Sequence, residues 1–327
     1  MTSRTWAGLL GTLGVIAANS GCERADVYAI TSEAIGSDNA GGGSAAGGSA
    51  GNGTAGEQSV QPVTCPSPTL SAGDTSRTVE VGSVSRSYVL HVPSAYDGSE
   101  PVPLVVDFHG IGTTGSDELS SSPYPAVTDR EGVVMAFPDG MTGPLGTGWN
   151  FGPCCVADVD DLAFARALVT DIESIACIDP DRVYAVGVLT GGGMVYHLAC
   201  HAADVFAAAA PAAFDFIEET VDDCRPSRPI SVISFRGTED ARVPYEGGAS
   251  SVVPGMPITF LGAEPTFERW AQIDGCAGVS SAPDSYGCSS YSGCRDGVEV
   301  VLCTKEGGRE EPGDATIAWP VLKRHSL

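Results

Sequence analysis

Across residues 63–327, short uninterrupted apolar runs alternate with stretches of helical periodicity, and this alternation restricts the fold more than any other feature of the chain. Tyr88–Val92, Leu104–Phe108, Val133–Phe137, Val183–Val188, Ile230–Phe235 and Val298–Leu302 read as strands. Most are apolar at successive residues rather than alternate ones, which implies burial on both faces and hence a mainly parallel sheet. Between them, Leu162, Ala165, Leu168, Ile172 and Ile175 recur on one helical face, with Asp160 and Asp161 at the positive helix start. Met194–His201, Thr266–Asp274 and Asp314–Trp319 also read as helices, and Pro320 is expected to end or kink the last of them at Trp319. The predicted class is α/β, with helices on both faces of the sheet.

Ahead of this region, residues 1–22 place Arg4 before an apolar run from Trp6 to Ala18. The run is shorter than the ~20 residues that span a bilayer, so it reads as a signal peptide. Asn19-Ser20-Gly21-Cys22 resembles a bacterial lipobox, whose Cys carries lipid; it departs from that pattern at Asn19, and plain secretion is the alternative. Residues 23–62 read as a linker, rich in Gly, Ala and Ser from Gly36 onward. A Gly-x-Ser-x-Gly string at residues 47–51 lies in this linker, without the strand and helix that would give it catalytic meaning.

Seventeen Lys and Arg against 41 Asp and Glu leave a formal net charge of −24. Such a surface repels phosphate backbones and anionic headgroups, so neither a nucleic-acid partner nor a polybasic membrane dock is expected. Membrane attachment is expected only through lipid on Cys22. Of 11 cysteines, assigning Cys22 to lipid leaves Cys65, Cys154, Cys155, Cys177, Cys200, Cys224, Cys276, Cys288, Cys294 and Cys303. Ten suffice for five disulfides and point to an extracytoplasmic, oxidising location. The crowding of Cys276, Cys288, Cys294 and Cys303 suggests local staples. No Cys-x-x-Cys pair occurs, and Asp158, Asp160 and Asp161 lack the turn and closing Glu of a calcium loop, so no metal and no cofactor is expected.

The chemistry-bearing segment is Arg182–Met194, in which a strand enters a glycine-flanked turn and a helix follows. This is the layout of a nucleophile elbow, where glycines permit a strained turn that lifts one side chain above the sheet. The apex of Gly187-Val188-Leu189-Thr190-Gly191 is a leucine. Around it stand Pro103–Gly110, Phe137-Pro138-Asp139-Gly140, Trp149-Asn150 with Gly152 and Cys154-Cys155, Ile178–Tyr184, Gly237-Thr238-Glu239-Asp240 with Val243-Pro244-Tyr245, Trp270 with Gly275-Cys276, and Val300–Cys303. With these marks the chain resembles the secreted polyhydroxybutyrate depolymerase/feruloyl esterase-like family, related to carbohydrate esterase family 1, over nearly all of residues 75–327.

The resemblance implies a disulfide-stapled α/β-hydrolase fold and carboxylic ester hydrolysis, with a polymeric or small-molecule ester or carbohydrate as ligand. It places the nucleophile at Leu189, the acid at Asp240, and the base nearest Arg309, in a Gly307–Gly313 stretch one residue shorter than the family's. It puts the oxyanion donors at Gly110, Ile111 and Thr190. Trp149 stands either in the cleft wall or in the core. Leucine supplies no attacking oxygen and arginine accepts no proton, so the expectation is a pseudoenzyme in which Asp240 is free to pair with Arg309. The alternative is an active esterase with a substitute nucleophile, Thr190 first. Of the five histidines, His91, His109 and His325 read as structural, and His197 with His201 as a solvated helix face rather than a metal pair.

Overall fold

A computed structural model describes residues 63–250 and 258–327; the leader, Cys22, the linker and the string at residues 47–51 lie outside the described residues. Nine strands form one sheet: β1 (Gly73–Val81), β2 (Val84–Val92), β3 (Val102–Phe108), β4 (Val134–Pro138), β5 (Ile178–Val188), β6 (Ala208–Ala212), β7 (Ser231–Gly237), β8 (Cys288–Tyr291) and β9 (Val300–Lys305). Their order is β1-β2-β4-β3-β5-β6-β7-β9-β8. The strands from β4 to β9 in that order run parallel, flanked by antiparallel β2 and β1 at one edge and β8 at the other. The helices are α1 (Gly115–Ser121), α2 (Pro125–Thr128), α3 (Asp161–Ile175), α4 (Thr190–His201), α5 (Ala263–Ile273) and α6 (Ala315–Leu322).

The pleat divides the strand side chains between two cores. Leu104, Val106 and Phe108 join Phe164 and Leu168 of α3, Leu198 of α4 and Trp270 of α5. Val105, Tyr184 and Val186 point the other way, to Ala318, Trp319 and Leu322 of α6. The mainly parallel sheet covered on both faces is therefore as the apolar runs implied. β6 was not legible: Ala208-Ala209-Ala210-Pro211-Ala212 carries little strand propensity. It is a strand because its neighbours β5 and β7 hold it, and small side chains let α4 approach its backbone. Nor does α6 stop at Trp319. It runs to Leu322 through Pro320, which forfeits one bond near the helix end to the exposed residue Thr316.

Ten cysteines pair as Cys65–Cys177, Cys154–Cys155, Cys200–Cys224, Cys276–Cys294 and Cys288–Cys303. The last two are the local staples expected of that crowded segment. Asp160 caps α3 by accepting from the Ala163 amide at 2.8 Å, while Asp161 is buried and pairs with Arg86 of β2 at 2.7 Å. Both acids are thus spoken for structurally rather than as cation ligands.

Asp107 on β3 and Glu118 on α1 are buried together, with the Ser122 hydroxyl donating to Asp107 Oδ2 at 2.6 Å. Burial pushes Asp107 up to about 7. Burial, and then the Asp107 charge, pushes Glu118 up to about 8. Both exceed the ~4 of an unfolded chain, so the stability they contribute is complete below that value. It is lost as pH rises through 7 to 8. Urea unfolding followed by circular dichroism is expected to show a falling free energy between about pH 5 and pH 9, and a shallower fall in Glu118→Gln.

Candidate functional site

The parallel register brings the carboxyl ends of the inner strands level: Phe108 lies beside Gly187, Val188 beside Ala212, Ala212 beside Phe235, and Gly237 beside Lys305. The loops that follow these residues therefore gather at one edge of the sheet, where open α/β sheets place their sites. Residues 109–111, 189–190, 213–215, 238–243 and 306–311 meet there.

At the centre, Leu189 joins β5 to α4 with φ 54° and ψ −123°. A left-handed φ is costly for a leucine, by about 1–3 kcal/mol, and persists only where the surroundings impose it. Here the Leu189 amide donates to the Ala212 carbonyl at 3.0 Å and its carbonyl accepts from the Gly193 amide at 3.1 Å. Gly187 and Gly191 let α4 start against β3: a Cβ on Gly187 would lie 2.8 Å from the Phe108 carbonyl oxygen, and one on Gly191 would overlap that oxygen outright. The elbow is thus built as its glycines predict, with an isobutyl group at its apex.

Leu189 packs over Gly110, whose Cβ position lies 3.4 Å from Leu189 Cδ1. With Ile111, Thr190, Cys154, Phe214 and Val243 it lines an apolar pocket of about 20 Å³. That volume holds about one water molecule. The three residues assigned to the oxyanion loop and hole, Gly110, Ile111 and Thr190, do gather around the apex. Thr190 Oγ1 is buried there without a hydrogen-bond partner.

His109 positions the loop. Its Nε2 accepts from the Gly140 amide at 2.9 Å, which leaves the proton on Nδ1, and Nδ1 donates to the Gly110 carbonyl at 2.6 Å. Burial lowers its pKa and keeps it neutral. Trp149 is fully buried, donates its indole N–H to the His109 carbonyl at 2.8 Å, and packs against the Phe108 and His109 rings. It belongs to the core behind the loop and not to a cleft wall, because its one polar atom is spent on the backbone that it supports.

Asp240 is buried, and its Oδ1 accepts from the amides of Arg242 at 2.8 Å and Val243 at 3.0 Å. Its Oδ2 has no hydrogen-bond partner and faces Arg236 Nη2 at 3.9 Å. Arg236 is itself fully buried; it pairs with Asp215 Oδ2 and donates to the Val243 carbonyl at 2.5 Å. Burial pushes Asp215 up to about 7 against the pull of Arg236. The expected Asp240–Arg309 pair is therefore replaced by a buried Asp215–Arg236–Asp240 line. The Arg309 loop does sit on the Asp240 loop, through the Glu239 amide donating to the Gly308 carbonyl at 2.7 Å. The Arg309 side chain, however, is exposed, because its backbone carbonyl faces Gly237 and turns the side chain outward. The ion pair joining the two loops is Arg242–Glu310 at 2.8 Å. Arg236 and Asp215 went unread in the sequence; the available signal was one charged residue closing an apolar strand.

None of the five histidines lines the apex pocket. His91 faces Asp74 and Asp129, and His325 faces Glu299. His197 and His201 are half-buried in a separate cavity rather than on a solvated helix face, and no three-ligand metal cluster occurs among the described residues.

No family model matches the chain. It is 43% identical over 246 residues to feruloyl esterase B of Piromyces equi, which covers 74% of this chain and 46% of that protein. The chain spans about half the length of that relative. It is 31% identical over 237 residues to a protein named "Probable feruloyl esterase C" of Aspergillus terreus (strain NIH 2624), covering 69% of this chain and 76% of the other. Its fold resembles that of an acetyl xylan esterase from Aspergillus awamori, with a TM-score of 0.55 at 16% identity over 76% of this chain and 99% of that one.

Two substitutions separate the buried charge line from the superseded pair. Arg236→Met leaves two carboxylates buried without their cation and should cost about 3–5 kcal/mol of unfolding free energy, less at low pH where Asp215 is protonated. Arg309→Ala, at an exposed position, should stay within about 0.5 kcal/mol by the same denaturant titration.

Proposed function

The chain belongs to the feruloyl esterase family of α/β-hydrolase-type esterases, and from that premise we propose that it is a member that keeps the esterase scaffold and has lost acyl-transfer chemistry. The observation that carries this reading is Leu189 at the strained apex of the elbow. Acyl transfer needs an attacking oxygen and a base to take its proton. The apex side chain has no oxygen, no histidine lines its pocket, and the residue nearest the base position is an exposed arginine. Losing triad members in serine hydrolases costs on the order of 10⁶ in rate. The proposed role is binding of an ester or a carbohydrate without cleavage. Ten cysteines joined in five disulfides support an extracytoplasmic location, with Cys22 as the proposed lipid anchor.

One observation favours a second reading, an active ester hydrolase that uses Thr190: its hydroxyl lines the apex pocket and is unpartnered. The same absence of a partner leaves that hydroxyl without a base.

The test is ester turnover by the full chain on aryl, feruloyl and short hydroxyacyl esters, beside a Leu189→Ser/Arg309→His variant. The expected result is no turnover by the native chain above buffer, and measurable turnover in the variant, which regains an attacking oxygen at the apex and the space now filled by leucine. Native turnover that is lost in Thr190→Val would establish the second reading instead.

A further inference from the structure

Residues four apart on a helix are neighbours, so α4 carries His197 and His201 on one face. Their ring centroids lie 4.6 Å apart with the planes inclined at 57°. Both line a cavity of about 200 Å³ that runs along the helix and shares only the Phe214 wall with the apex pocket. Phe151, Tyr196, Phe214 and Phe216 supply its aromatic walls. Cys200, which stands between the two histidines in sequence, is joined to Cys224, and this disulfide holds the loop of Thr220 and Asp223 against α4 as a further wall.

No ring nitrogen of this pair has a hydrogen-bond or ion-pair partner among the described residues, whereas His91, His109 and His325 each spend at least one on the protein. A neutral imidazole carries one lone pair, and here nothing uses it. Burial, and then the neighbouring imidazole, lowers His197 to about 4, and burial lowers His201, so at neutral pH the rings present lone pairs and not charge. The charge of Asp160 reaches His197 and that of Asp223 reaches His201. With the chain's net charge of −24, this setting favours a cation over an anion.

The spacing selects the kind of cation. A metal held at about 2.1 Å by one nitrogen of each ring stands about 3.2 Å from each ring centre, so two rings at right angles around it lie about 4.5 Å apart. The observed 4.6 Å is that separation. Neutral imidazole suits zinc, nickel and copper, whereas calcium and magnesium demand oxygen ligands. The cavity has room for the waters that complete the coordination shell, at ~30 Å³ each. A sugar or phenol hydroxyl satisfies one ring nitrogen and takes nothing from the spacing of the pair.

We propose that His197 and His201 form a site for one divalent transition-metal ion of the zinc, nickel or copper class, with water in its remaining positions and its charge offset by Asp160 and Asp223. The site is separate from the apex and does not depend on whether the elbow retains any chemistry.

Isothermal calorimetry of the full chain with zinc chloride, beside calcium chloride, tests it. Saturable zinc binding is expected, with calcium at least tenfold weaker. His197→Asn and His201→Asn should each weaken zinc at least tenfold while the circular dichroism stays native. His91→Asn, which removes the imidazole between Asp74 and Asp129, should leave zinc binding unchanged. Zinc should also raise the thermal midpoint of the native chain and not that of the His197 or His201 variant, since an ion bound only by the folded state stabilises it. No saturation by zinc, equal affinity for calcium, or zinc binding that survives both helix variants and falls in His91→Asn would each overturn the proposal.

Discussion

The approach of α4 to β3 is the constraint on which the rest of the site depends. Gly191 packs so closely on the Phe108 carbonyl that no side chain fits between helix and strand, and Gly187 stands nearly as close. Only with both glycines does β5 turn into α4 within one residue, and that turn drives Leu189 into a left-handed conformation. The energy stored there is repaid by the sheet packing on either side and by the hydrogen bonds of the Leu189 backbone to Ala212 and Gly193. The elbow is therefore a property of backbone packing, and it survives with a leucine where the chemistry of the resemblance would need a serine.

Around this turn the loops are held from behind. Trp149 and His109 spend their polar atoms on the loop that carries Gly110, and Asp161 with Arg86 ties the segment after Trp149 to β2 and α3 through the Asn150 amide. On the far side Arg236 lies between two carboxylates, and Asp240 is held by amides of its own loop. A buried cation with two acids is stable only while all three are present, because each desolvated charge depends on its neighbours. Arg236 thus gives the buried Asp240 carboxylate electrostatic support at 3.9 Å, in a site where no imidazole meets it.

Much of the fold was legible. Continuous apolar strands, a helix with Asp160 at its start and glycines around residue 189 each follow local rules, and each leads to the observed element. The departures have physical causes. The alanine run of β6 becomes a strand through its neighbours, α6 passes Pro320 because only one terminal bond is forfeited, and the two ring nitrogens of His109 take their roles from Gly140 and Gly110. Sequence distance also concealed the cavity of α4, whose aromatic residues 151, 196, 214 and 216 come from three separate stretches of the chain.

By itself the sequence determined the class of sheet, the elbow with its leucine apex and the membership in an esterase family, because each rests on residue types at short range or on a motif. Tertiary structure alone decided which charges meet. Asp240 turned to Arg236 and away from Arg309, Trp149 went to the core, and His197 with His201 faced an aromatic cavity. Pairings of that kind depend on how far each side chain lies from water once the strands are stacked, and no local pattern encodes that distance.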